Sequence, residues 1–289
     1  MAFTRFWVGI VLCGLLGIDA RAQSSEQTST DPTTSGSNQS TSGAPGRSGK
    51  TQADASDIQA ETGNRDITYI RTRAVFQYDY KDQVNDVTTN RLRLKLQYGF
   101  GEGQKFAVSV MTPVLWKSNA TQSGFGVGDM EITAGMIFYD NNKFRTGISA
   151  QVVPPTSSEN LLGGATLDMK GTWGFAYVLS PRFEFTGMFN YKQSVAVYRG
   201  QPTKQFEPDV SLNMRVKKMT WFLESDSYYN FIPQQFAPML KFGISKEIGK
   251  SKAWVASVYV EGPLSGYARQ AQEIVNTGVD VTWFPWPKR

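Results

Sequence analysis

The sequence predicts an all-β fold, an up-and-down antiparallel transmembrane β-barrel of about 12 strands. Three observations carry that expectation. Apolar and polar residues alternate with a period of two in run after run from Ile67 to Phe284. The links between the runs are alternately short and long. Aromatic residues, among them Tyr98, Trp116, Tyr139, Tyr191, Trp221 and Trp283, collect near run ends. Such rings favour a membrane interface, where the body is buried and the polar tip stays wet.

Residues 1–22 have a basic start at Arg5, an apolar run from Phe6 to Ile18 and a cleavage pattern at Ala20-Arg21-Ala22. The run is too short to span a bilayer, so it reads as a secretory signal peptide cut after Ala22. The one cysteine, Cys13, lies inside it and follows Leu12 rather than a small residue. No lipid anchor is expected, and the exported chain has no disulfide. Residues 23–64 are rich in Ser, Thr and Gly and nearly devoid of large apolar side chains. Such a stretch cannot bury enough surface to offset its ordering entropy, so a disordered periplasmic arm is expected. Residues 65–289 are left for the barrel.

The alternating runs cover roughly 67–80, 88–100, 104–116, 128–139, 143–154, 165–179, 181–193, 206–217, 219–229, 237–248, 252–262 and 273–284. The second, RLRLKLQYGF over 91–100, sets Leu92, Leu94, Leu96, Tyr98 and Phe100 on one face and Arg91, Arg93, Lys95 and Gln97 on the other. The apolar face is expected against lipid and the charged face in the lumen. A charge at mid-bilayer on the lipid face would cost roughly 2–4 kcal/mol. The links near 101–103, 140–142, 180–181, 217–219 and 249–252 are short. Those at 81–87, 117–127, 155–164, 194–205, 230–236 and 263–272 are longer and polar. Short turns at one end and long loops at the other mark an outer-membrane barrel, with both chain ends in the periplasm.

The formal charge of +5 is modest and not gathered in one tail, so no nucleic-acid partner is expected. Mean hydropathy is −0.34, a value that half-polar strands produce even in a membrane protein. There is no histidine. With no cysteine after the leader, Ser-His-Asp triads, Cys-His pairs and ordinary zinc sites are excluded. No enzyme activity, cofactor or metal is expected. Gly124, Gly126 and Gly128 precede a strand rather than a helix, so they are not a nucleotide-binding loop. The expected partners are membrane lipid, small-molecule solutes and the outer-membrane assembly machinery.

Ser123 to Thr166 contains GFGVGD, an alternating strand, a short turn, a second strand ending in PPT and a loop with LGGAT. This order resembles the outer-membrane proteins of the "MetA-pathway of phenol degradation" family. The resemblance implies a channel or transporter for small, often aromatic or apolar, compounds. It supplies no site residues. Barrels of this kind usually end in a terminal aromatic, whereas Trp283-Phe284 is followed here by Pro-Trp-Pro-Lys-Arg.

In a twelve-strand barrel the second strand lies opposite the eighth. Inward positions at the start of the chain then supply Arg71, Arg73, Arg91, Arg93, Lys95 and Lys105, with Gln77 and Asp79 among them. Across the lumen stand Glu207, Asp209, Glu224 and Asp226. A basic wall facing an acidic wall across water would orient polar solutes and favour one ion sign. The alternative is an interior filled by neighbouring charges that satisfy one another. Asp280 on the last strand is expected near Arg71 or Arg73. The leading function is passive passage of small solutes across the outer membrane. The alternative is a non-transporting structural or adhesive barrel acting through its extracellular loops.

Overall fold

A computed structural model describes residues 67, 68, 70–83, 86–141, 143–158, 162, 166–199, 201–249, 253–264 and 273–285. The expected signal peptide, the Ser/Thr/Gly-rich arm and most of the 263–272 link lie outside the described residues.

Fifteen strand segments occur in chain order. They are β1 (Arg73–Gln83), β2 (Val87–Phe100), β3 (Phe106–Ser118), β4 (Ser123–Val127), β5 (Glu131–Asp140), β6 (Phe144–Val153), β7 (Thr166–Ser180) and β8 (Phe183–Val197). Then come β9 (Lys204–Val216), β10 (Met219–Asp226), β11 (Tyr228–Asn230), β12 (Gln235–Ala237), β13 (Met239–Ile248), β14 (Trp254–Pro263) and β15 (Glu273–Trp283). Interruptions at 128–130, at Ser227 and at Pro238 divide three staves into two segments each, β4 with β5, β10 with β11 and β12 with β13. The result is a closed antiparallel barrel of twelve staves. The first and last strands pair from Ala74↔Trp283 to Gln83↔Glu273, so no edge remains to be covered.

Each predicted run corresponds to one stave, and the differences lie at the ends. The first run begins six residues too early, because strand pairing starts at Arg73. Four expected long links are shorter than read, because the strands continue past the apolar stretch. Tyr80↔Asn90, Lys81↔Thr89 and Asp82↔Thr88 extend the β1–β2 hairpin. Only 119–122 separates β3 from β4, where Asn119 Oδ1 accepts the backbone N–H groups of Thr121 and Gln122 at 2.9 and 2.7 Å. Once a strand leaves the bilayer its outer face no longer needs apolar side chains, so polarity marks the membrane boundary rather than the strand end.

The short turns stand as expected. The first is closed by Gly101, whose φ of 79° only glycine adopts without strain. Along β2, Leu92, Leu94, Leu96, Tyr98 and Phe100 are exposed on the outside, while Arg91, Arg93 and Lys95 line the interior. The outer face over β6 to β9 carries a chain of rings. Trp173 stacks on Phe189 at 5.3 Å, Phe189 lies 6.3 Å from Phe206, and Phe175 lies 5.9 Å from Phe185.

The motif residues at 124–130 and 154–158 meet in one clasp at the long-loop end. Asp129 Oδ1 accepts the N–H groups of Thr156 and Ser157, both at 2.9 Å. Met130 N donates to Thr156 Oγ1 at 2.7 Å, and Ser158 N donates to the Val127 carbonyl at 2.9 Å. A Cβ at Gly126 would lie 2.2 Å from Ser158 Oγ, so the glycine is what lets the second strand's end close over the first. These residues build the wall where β4 gives way to β5.

Candidate functional site in the lumen

Inside the barrel lies a cavity of about 520 Å³. Its lining draws on all twelve staves, so the period of two that sends leucines outward also furnishes this surface. Of the predicted pathway residues, Arg91, Arg93, Lys95, Glu207, Asp209, Glu224 and Asp226 line it. Arg71 precedes β1, and its guanidinium lies 5.6 Å from the Phe284 ring centre. Arg73 is buried and donates to Gln97 Oε1 at 3.5 Å. Lys105 is exposed on the turn between β2 and β3 and does not line the cavity. Its place in the odd–even count was lost because the turn at 101–104 resets the register.

The register explains how the basic side is held. Asp79 on β1 stands directly across from Arg91 on β2 and is fully buried. Arg91 Nη2 reaches one of its oxygens at 2.9 Å, and Arg93 Nη2 reaches the other at 3.2 Å. Two guanidinium groups thus share one carboxylate. Lys95 adds a further cation at the next inward position.

On the acidic side, Lys241 of β13 sits between Glu224 at 3.3 Å and Asp226 at 3.4 Å, so two carboxylates share one ammonium. Lys170 meets Glu207 at 3.2 Å, and Asn190 Nδ2 donates to Asp209 Oδ2 at 3.0 Å. The two sides thus invert one device, a counter-ion shared by two groups of the opposite sign. A polar chain joins them. The Lys241 ammonium lies 5.0 Å from the Tyr259 ring centre, and the Tyr259 hydroxyl accepts Gln77 Nε2 at 3.1 Å. Acidic and basic side chains line the cavity in equal number.

The sequence reading missed Lys170, Lys241 and Tyr259. Lys241 and Lys170 sit at inward positions of clean runs, so parity alone could have found them. Tyr259 is inward by parity too, between Ser257 and Glu261, but the lie of its ring is set by Gly278 directly across on β15, where a Cβ would lie 2.3 Å from the ring. Phe222 covers Gly243 in the same way. Aromatic rings laid over cross-strand glycines need the register, which no single run reveals. Asp280 is set across from Gln77 and Ser257, rather than beside Arg73, which pairs with Gln97. The expected closing pair was offset along the seam.

Comparison with known proteins agrees with this architecture. The family model described as "Putative MetA-pathway of phenol degradation" matches residues 32–263. No curated protein matches the sequence. Among solved structures, the COG4313 outer membrane channel from Pseudomonas putida F1 superposes with a TM-score of 0.61 at 10% identity, covering 76% of this chain and 98% of that one. The NanC porin gives a TM-score of 0.52 at 8% identity, covering 74% and 100%. The KdgM porin gives 0.51 at 12% identity, covering 73% and 98%. At these identities the likeness is one of fold.

Proposed function

Because the chain belongs to the MetA-pathway of phenol degradation family, we propose that it is an outer-membrane channel for passive passage of small solutes, some of them aromatic or apolar. The observation that carries this reading is the cavity inside the closed barrel, lined by ionised side chains at inward positions. Such groups need water, and a hydrated lumen is a path for polar solutes. The lining also includes Met111, Met188, Phe222, Met239 and Tyr259. These offer soft apolar contact to a ring while the charges orient its polar substituents. The short-turn end faces the periplasm in this reading, and Arg91, Arg93 and Lys95 set the basic side of the path.

Liposome swelling tests it. Vesicles holding the refolded protein should swell in solutions of small neutral solutes and of small phenols faster than empty vesicles. Equal rates with folded protein present would overturn the reading and favour a barrel that acts through its outer loops.

A further inference from the structure

The charged side chains that line the cavity are sorted by sign around the barrel. Among the described residues, Lys81, Arg91, Arg93, Lys95, Lys170 and Lys192 come from β1 to β8, and Lys241 is the one lining cation from the remaining staves. Glu207, Asp209, Glu224, Asp226, Glu261 and Asp280 come from β9 to β15, and Glu131 is the one lining carboxylate from the others. Ion pairing does not undo the division. Asp79 beside Arg91 and Arg93, and Asp168 beside Lys192 at 3.0 Å, join Glu131 on the basic half. At the level of the cavity that half still holds six cations to three carboxylates. The acidic half holds six carboxylates to the Lys241 ammonium. Lys170 reaches over the boundary between the halves to Glu207 at 3.2 Å.

The strand register sets the two halves at one height. Cross-strand partners form rows that run square to the strands. Because barrel strands tilt, each row climbs one side of the barrel and descends the other. β9 lies half-way round the barrel from β2. Followed through β1 and β15, the row of Arg93 meets β9 at Arg215. Followed through β3 and β5, the row of Gln97 meets β9 at Gln205. On that side the row of Arg93, four residues nearer the long-loop end, projects to Gln201. Midway between Gln201 and Arg215 lies Pro208, so the inward side chains of Glu207 and Asp209 stand level with Arg93, straight across the lumen. Eight staves enclose an interior that side chains just fill, and diameter grows about linearly with stave number, so twelve leave a free width of roughly 8 Å between the walls.

We propose that the lumen selects zwitterionic solutes whose ammonium and carboxylate are held apart by a ring or a short chain. This rests on the channel reading and names its substrate class. A simple ion is drawn to one half of the lumen and repelled by the other. A dipolar solute gains from both halves when it lies crosswise, its carboxylate toward Arg91, Arg93 and Lys95 and its ammonium toward Glu207, Asp209 and Asp226. The gain grows with the separation of its charges, because each must come close to its own wall. A benzene ring with charged groups at its two ends spans about the free width. An α-amino acid carries both charges at one end, and the crosswise field acts on them almost oppositely. Met188 and Phe222 on the acidic side of the lining offer the ring soft contact.

Solutes of one formula and different charge layout test the proposal. In para-aminomethylbenzoate the ammonium and carboxylate stand across the ring. In phenylglycine, its isomer, they sit on one carbon. A further isomer, para-hydroxyphenylacetamide, is neutral. Uptake of each at equal concentration is measured into vesicles holding the refolded protein, with leakage into empty vesicles subtracted. Para-aminomethylbenzoate should enter at least about three-fold faster than either isomer. Asp209→Asn with Glu261→Gln removes two carboxylates of the acidic half and leaves the ion pairs of Lys170 and Lys241 in place. In that variant, with folding verified by a heat-dependent gel shift, the ratio should fall toward one. Equal rates in the wild type, or a faster neutral isomer, overturn the proposal, and so does a ratio that the variant leaves unchanged. If no isomer enters faster than into empty vesicles although the barrel is folded, the channel reading itself falls.

Discussion

The two faces of β2 obey different rules. The outer face repeats one residue type, Leu92, Leu94 and Leu96, and each is interchangeable with the next because lipid is a uniform solvent. The inner face also repeats one charge, Arg91, Arg93 and Lys95, but no two of these have the same surroundings. Arg91 binds Asp79 through Nε and Nη2, Arg93 binds it through one nitrogen, and Lys95 stands across from Val75 and Met111. The outer face is set by composition, the inner face by register.

Substitutions can break this contrast in order of size. Leu94→Arg puts a charge into lipid and should destabilise the barrel by about 2–4 kcal/mol, read by urea unfolding in liposomes. An arginine placed inside, Gln151→Arg beside Glu131, should shift stability by no more than about 1 kcal/mol, because water and a carboxylate meet it. Equal losses at the two positions would erase the distinction between the faces.

Asp79→Ala comes next. It removes the carboxylate shared by Arg91 and Arg93, whose side chains keep some contact with the lumen. The expected loss is roughly 1–3 kcal/mol, below that of a fully buried pair. Restoring stability by a second change, Arg91→Gln, would show that uncompensated charge is the cause. Gly278→Val, which drives a side chain into the Tyr259 ring, should cost about 1–3 kcal/mol. Tyr259→Ala in the same chain should recover most of it. Arg93→Glu with Lys95→Glu should cost at least as much stability as Asp79→Ala, because a carboxylate then faces the buried Asp79. Its distinguishing outcome, the subtlest of the set, is a shift of ion preference toward cations, measured as a reversal potential in a salt gradient.

The same contrast explains what could be read before the fold was known. Twelve staves, the leucine face of β2 and the short turns were legible because each depends on residues close in sequence. The overhanging ends, such as Lys81↔Thr89, were not, since a strand outside the bilayer carries no apolar signature. In the lumen, seven of the predicted residues reached the cavity by parity alone. Lys105 did not, because the Gly101 turn breaks the count. The lie of the Tyr259 ring over Gly278 and that of the Phe222 ring over Gly243 were invisible for a shared reason. Each depends on a glycine across the ladder, whose significance appears only when strands are laid side by side. The GxGD and PPT motifs showed the opposite behaviour. They stood out in sequence, and they proved to be joined through Asp129 and Thr156 into a wall clasp.

The central claim is that ionised side chains inside this barrel line a path for water and solutes. Single-channel conductance of the refolded protein in a planar bilayer, with folding verified by a heat-dependent gel shift, tests it most directly. Steady, resolvable steps are predicted, with weak ion selectivity because acids and bases balance along the cavity. Electrical silence from a folded barrel would contradict it.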